Sequence, residues 1–159
     1  MAITTTLDHT DYLVTVRQIV SEFLKTHFVG DRVADIRLTP RAAEGEKTET
    51  PLSLPIIRVL MSPGGETRQV GAGRVVGDDE RGEWKDLVFG LVVSTDEATG
   101  GELTRDRLSG WLEKTVLEHG NELAQAGLRY PEVSPAALID TDEFFQNWHE
   151  LRVQILLRR

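Results

Sequence analysis

Trp84-Lys85-Asp86-Leu87-Val88-Phe89-Gly90-Leu91-Val92-Val93, followed by Ser94-Thr95-Asp96, is the stretch that decides how this chain folds. Side chains alternate along a strand, so Leu87, Phe89, Leu91 and Val93 fall on one face. Trp84, Val88 and Val92 fall on the other, which is also largely apolar. A strand apolar on both faces belongs at the centre of a sheet and is expected to be covered on both sides. After a Gly100-Gly101 break, a long amphipathic helix is predicted over Leu103–Ala126. Its stripe is Leu108, Trp111, Leu112, Thr115, Val116, His119 and Leu123, at helical spacing. Thr104 is placed to cap its start, and Gly127 to end it in the left-handed conformation. This strand and helix are expected to form the core pair of layers.

Upstream, residues 1–7 suggest a loose arm. Asp8 to Phe28 carries a second apolar stripe: Tyr12, Leu13, Val16, Ile19, Val20, Phe23, Leu24, His27 and Phe28. Asp8 or Thr10 is available to cap this helix, and Gly30 to end it. Val33 to Leu38 is a short strand candidate. Residues 40–53 are polar, aperiodic and flanked by prolines, as in a mobile loop. Leu54–Met61, Thr67–Val76 and the opening strand suggest a three-stranded meander, with turns at Ser62–Gly65 and Val76–Gly82. Downstream, Leu128 to Pro131 suggests a turn, Pro135–Ile139 a short strand, and Asp140–Phe145 a loop or single helical turn. The segment Trp148–Leu157 alternates Leu151, Val153, Ile155 and Leu157 with Arg152 and Gln154, a half-buried strand. The expectation is one α+β domain over residues 1–159: a mixed, mainly antiparallel sheet with two amphipathic helices packed on it.

The bulk properties narrow the function. The chain of 159 residues suits a single core. It holds no cysteine, which excludes disulfides, thiolate metal sites and cysteine nucleophiles. No apolar run approaches the roughly 20 residues that span a bilayer, and the first residues do not resemble a signal peptide, so synthesis in the cytoplasm is expected. A net charge of −8 argues against a general nucleic-acid binder.

Motifs with chemical potential each have a plainer reading. Gly71-Ala72-Gly73 begins like a phosphate-binding loop, but the third glycine and the following helix are missing; small residues at a bulge explain it better. Glu83-Trp84-Lys85 with Asp78 and Asp79 has the form of a metal-dependent nuclease, but its first acid should lie on a separate strand. Asp140-x-Asp142-Glu143 lacks the glycine and loop-end glutamate of an EF-hand. Ser62, Ser94 and Ser109 lack a nucleophile context; Ser94-Thr95-Asp96 suits a strand end. His9, His27, His119 and His149 form no motif, and His27 has no partner at ligand spacing, so a packing role is assigned to it. Trp111 belongs to the core, while Trp84 and Trp148 suit either a core margin or an interface. No catalytic, cofactor-binding or metal-ligating residue is selected, and no enzyme is expected.

The order of elements carries a resemblance. The helix at 8–28, the polar loop at 40–53, the meander 54–93 with its Leu-Val-Phe-Gly-Leu-Val-Val-Ser-Thr-Asp strand, the helix at 103–126 and the terminal strand resemble the tail terminator proteins of long-tailed phages and archaeal tailed viruses. The resemblance implies a virion protein of the head–tail junction without catalytic residues. It would form a homo-hexameric ring that caps the tail tube, stops its growth and meets the head connector. DNA would pass through the lumen without specific binding, which suits an acidic protein. Such a ring needs a head-to-tail interface, for which the terminal strand or the 67–76 strand is the expected contributor, leaving loops 40–53 and 77–83 to order on the tube or connector. The alternatives are another neck or head-completion protein, the nuclease, or a host-cell binding module.

Overall fold

The computed structural model describes residues 6–8, 10–38, 53–61, 68–75, 81–141 and 144–158. Its sheet is built on two long neighbours, β5 (Arg81–Thr95) and β7 (Phe145–Arg158). They pair antiparallel without interruption from Gly82↔Arg158 to Thr95↔Phe145. The outer edge of β5 is shared. β4 (Arg68–Val75) takes its first part, and β3 (Ile56–Met61) takes the rest from Phe89 to Ser94. β2 (Asp35–Arg37) lies parallel outside β3. The outer edge of β7 carries β6 (Arg129–Asp140), antiparallel, and β1 (Leu7–Asp8), parallel at Leu157 and Arg158. Helices α1 (Tyr12–His27) and α2 (Gly101–Gln125) complete an α+β fold with a mixed, mainly antiparallel seven-stranded sheet.

One face of the sheet makes the core with both helices. Leu87, Phe89, Leu91 and Val93 of β5, Leu151, Val153, Ile155 and Leu157 of β7, and Ile57 and Val59 of β3 are all buried. Onto them pack Val16, Val20, Phe23 and Leu24 of α1 and Leu108, Leu112, Val116 and Leu123 of α2. Burying each such side chain contributes roughly 1.5–3 kcal/mol, so this face dominates stability. The second face is buried more narrowly. Ile56, Arg58, Leu60, Val92, Ser94 and Leu156 are enclosed, and the Arg58 Nη1 donates to Ser94 Oγ at 3.4 Å. Trp84, Asp86 and Val88 remain half-buried, so β5 is covered on both faces only along its C-terminal half.

Several local expectations are corrected. Strands β3, β4 and β5 do not form a meander: β3 and β4 both pair with β5, and no β3–β4 pairing occurs among the described residues. Leu7 is not part of a loose arm but a buried residue of β1. Asp8 also belongs to β1, so α1 starts later; the Asp8 carboxylate instead accepts from the Thr10 N–H at 2.8 Å, turning the chain into the helix. Thr104 lies inside the first turn of α2. The N-cap is Gly100, at φ 107, after a one-turn 3-10 segment that Asp96 and Thr99 close with a reciprocal capping box. Gly127 has φ 106, as its place after α2 requires.

Residues 129–140 are one strand, not a turn and a short strand. Pro131 and Pro135 are accommodated because, among the described residues, β6 pairs only with β7, and its register shifts next to both prolines. Tyr130, with φ 51, carries the first irregularity. A hairpin closed by Thr141 N–H to Phe144 C=O at 2.8 Å returns the chain to β7. Arg81 and Gly82, expected in the acidic turn, belong to β5, and residues 76–80 lie outside the described residues. The 40–53 loop, apart from Ser53, the 62–65 turn and residues 1–5 lie outside the described residues.

Helix α2 approaches β6 so closely that a Cβ on Gly120 would lie 2.9 Å from the ring Cγ of Pro131, whereas one on Gly110 would meet nothing within 4 Å. Gly110→Ala should stabilise the protein by about 0.5–1 kcal/mol, because alanine loses less backbone entropy in a helix. Gly120→Ala should destabilise it by about 1–3 kcal/mol through overpacking. Urea unfolding of the two variants checks the opposite signs.

Candidate functional site

The most distinctive polar constellation lies where the two helices meet. His27 is the last residue of α1, and His119 and Glu122 stand one turn apart on α2. Both Glu122 carboxylate oxygens are 3.1 Å from His27 Nε2, and Oε2 is 3.3 Å from His119 Nδ1. The two imidazoles stack with centroids 4.3 Å apart and planes 23° from parallel. Phe23 flanks the His27 ring at 4.9 Å. The Trp111 indole N–H donates to the His27 backbone carbonyl at 3.0 Å, satisfying one of the acceptors that a helix end leaves open. His27 is therefore held firmly, its side chain 13% exposed, while Glu122 at 44% opens the group to solvent. A shallow groove between the helices, lined by Ile19, Phe23, Thr26, Leu123 and Ala126, also reaches Glu122.

Sequence reasoning missed this group. Its visible part is the His119-x-x-Glu122 pair on a helix that was itself predicted; its invisible part is His27, brought in by the packing of α1 on α2.

A second histidine is placed differently. His149 lies on β7, facing the helices, with its side chain fully enclosed. The Glu113 carboxylate of α2 is 3.5 Å from its Nε2, too far for a strong hydrogen bond. Burial pushes the imidazole pKa below its ordinary value, and the Glu113 charge opposes this only in part.

Among the described residues, the other sequence candidates are not gathered into a site. Asp140 pairs with the buried Arg105 of α2, whose Nε also donates to Asp106 at 3.0 Å, so its carboxylate is engaged in an ion pair. The Lys85 ammonium lies 5.2 Å from the Tyr12 ring centroid. Asp78, Asp79, Asp142, Glu143, Ser62 and His9 lie outside the described residues. Gly71, Ala72 and Gly73 are in β4 where its pairing with β5 shifts register, as a bulge would have it. Ser94 is buried beneath Arg58, Ser109 is buried on α2, and the Thr95 hydroxyl donates to the Gly101 carbonyl at 2.7 Å, tying the strand end to the helix start. Trp111 packs against the core with the Arg32 guanidinium 4.2 Å above its ring. Trp84 and Trp148 are half-buried, and the Arg129 guanidinium covers Trp84 at 4.9 Å. Among the described residues no helix is long and apolar enough to cross a membrane.

The rims of the sheet are the other distinctive feature. Among the described residues, β6 pairs only with β7 on one side, and β4 and β2 are outermost on the other. Of the two strands expected at a subunit contact, β7 is paired along both edges among the described residues, whereas β4 is outermost. β6 is the outer strand on the β7 side, with Tyr130, Leu138 and Ile139 exposed along it. No family model matches the chain, and no curated protein matches it.

The folded protein holds the His149 proton less tightly than the unfolded chain does. Stability should therefore be full at neutral pH and fall as pH drops below the ordinary imidazole pKa of 6.5. His149→Gln should lose less stability than the wild type between about pH 7.5 and about pH 5.5, as measured by urea unfolding.

Proposed function

We propose that this protein is a tail terminator of a tailed virus: a structural subunit whose copies close into a ring on the last ring of the tail tube and present a surface to the head connector. The observation that carries this reading is a sheet with two unlike rims that are outermost among the described residues, β6 on one side and β4 with β2 on the other. A ring needs a head-to-tail contact between different surfaces of identical subunits, and two unlike rims supply one. Pro131 and Pro135 remove backbone donors from the first half of β6 and so blunt it against pairing. The second half, Ala136–Asp140, is exposed throughout and carries Leu138 at 63% and Ile139 at 43% exposure. This is the part of β6 that pairs with the rim of the next subunit by strand addition.

The acidic balance, net charge −8, supports a conduit through which DNA moves without being held. The partners are further copies of the chain, the tail tube protein and the head connector. The subunit acts by shape and assembly rather than by catalysis, and its place is the head–tail junction of the virion.

Sedimentation and negative-stain imaging test the reading. With tail tubes present, a closed ring of about six subunits is expected; a protein that stays monomeric under those conditions overturns it. Leu138→Lys should keep the circular dichroism of the fold and lose the ring, since a charge on an exposed rim opposes strand pairing. Unchanged rings would remove β6 from the interface.

A further inference from the structure

We propose that His27, His119 and Glu122 form a binding site for one divalent transition-metal ion of the zinc class, clasping the end of α1 to α2. The donor atoms all lie within 4.8 Å of one another. More telling is their spacing around the carboxylate: 3.1 Å from His27 Nε2 and 3.3 Å from His119 Nδ1. Ligands bound at the usual 2.0–2.2 Å to a tetrahedral zinc are separated by about 3.3 Å, so little movement is needed to seat an ion among them. The same contacts are long for hydrogen bonds between an imidazolium and a carboxylate, which shorten to about 2.7–2.9 Å. His27 Nε2 also sits equally far from both carboxylate oxygens instead of settling on one.

The chemistry of the donor set selects the ion. Two imidazole nitrogens and one carboxylate suit zinc and its neighbours, whereas calcium and magnesium prefer all-oxygen sites. His27 is fixed by Phe23 against its ring and by the Trp111 N–H on its carbonyl, which places one ligand in advance. His119 and Glu122 follow from helical spacing on α2. Three protein ligands leave the remaining position open, on the side where Glu122 faces solvent and the interhelical groove. The group lies between the helices and uses none of the exposed β6 residues Leu138 and Ile139, so metal binding is tested independently of ring assembly.

The test uses the full chain, stripped with a chelator and titrated with zinc and with cobalt(II). One ion per chain should bind with Kd of about 1 μM or tighter, cobalt should develop the visible absorption of a four- or five-coordinate site, and zinc should raise the thermal midpoint, because only the folded chain assembles the ligands. Magnesium and calcium should not displace cobalt. His119→Asn and Glu122→Gln, at half-exposed positions where the fold tolerates change, should each weaken zinc binding by about tenfold or more, while His149→Gln binds as the wild type does. Absence of cobalt bands in the wild type, displacement by magnesium, or unchanged affinity in Glu122→Gln would each overturn the site.

Discussion

The pairing of β5 with β7 is the constraint on which everything else in this structure rests. It runs unbroken from Gly82 to Thr95, and its register sets which residues share a face. Because side chains alternate, that single alignment brings Leu87, Phe89, Leu91 and Val93 onto the same side as Leu151, Val153, Ile155 and Leu157. A slip of one residue would turn one of these rows to the opposite face and deprive the helices of their floor. The shorter strands then have no freedom of arrangement: β3 and β4 divide one outer edge, and β6 and β1 divide the other.

The helices inherit their positions from this floor. α2 lies over the sheet with Leu108, Leu112, Val116 and Leu123 inward, and Gly120 lets it settle against Pro131 of β6. α1 packs beside it through Val16, Val20, Phe23 and Leu24. His27 meets His119 and Glu122 only because both helices bury their stripes in one shared core. The polar group is thus a by-product of apolar packing, with the Trp111 N–H on the His27 carbonyl as a polar tether. His149 represents the opposite outcome: an ionisable ring on an inward position of β7, enclosed by the same packing.

Much of the fold was legible in the sequence because the long elements announce themselves. The two-sided apolar run of β5, the alternation in β7 and the stripes of both helices each follow a single period, and Gly127 marks the end of α2 unmistakably. Edges were less legible. Leu7 joins the sheet through a two-residue strand that no pattern can reveal. β6 was hidden by Pro131 and Pro135, which are read as breakers unless the strand is known to lie at a rim. The order of β3, β4 and β5 failed for another reason: chain order suggested a meander, but a strand as long as β5 offers one edge to two partners. The rim role given to β7 failed with it, since a half-polar pattern cannot tell an edge strand from an inner one that is solvated on one face. The histidine cluster was out of reach because its members meet through tertiary packing alone.

The place of β7 carries a consequence for how the molecule comes into being. It is the last described strand in chain order, yet it lies inside the sheet, between β5 and β6. While the polypeptide leaves the ribosome, β5 stands with one long edge unpaired until β7 has emerged. The row that β7 adds to the hydrophobic floor therefore arrives late, and the nascent chain is most vulnerable to misassembly just before it.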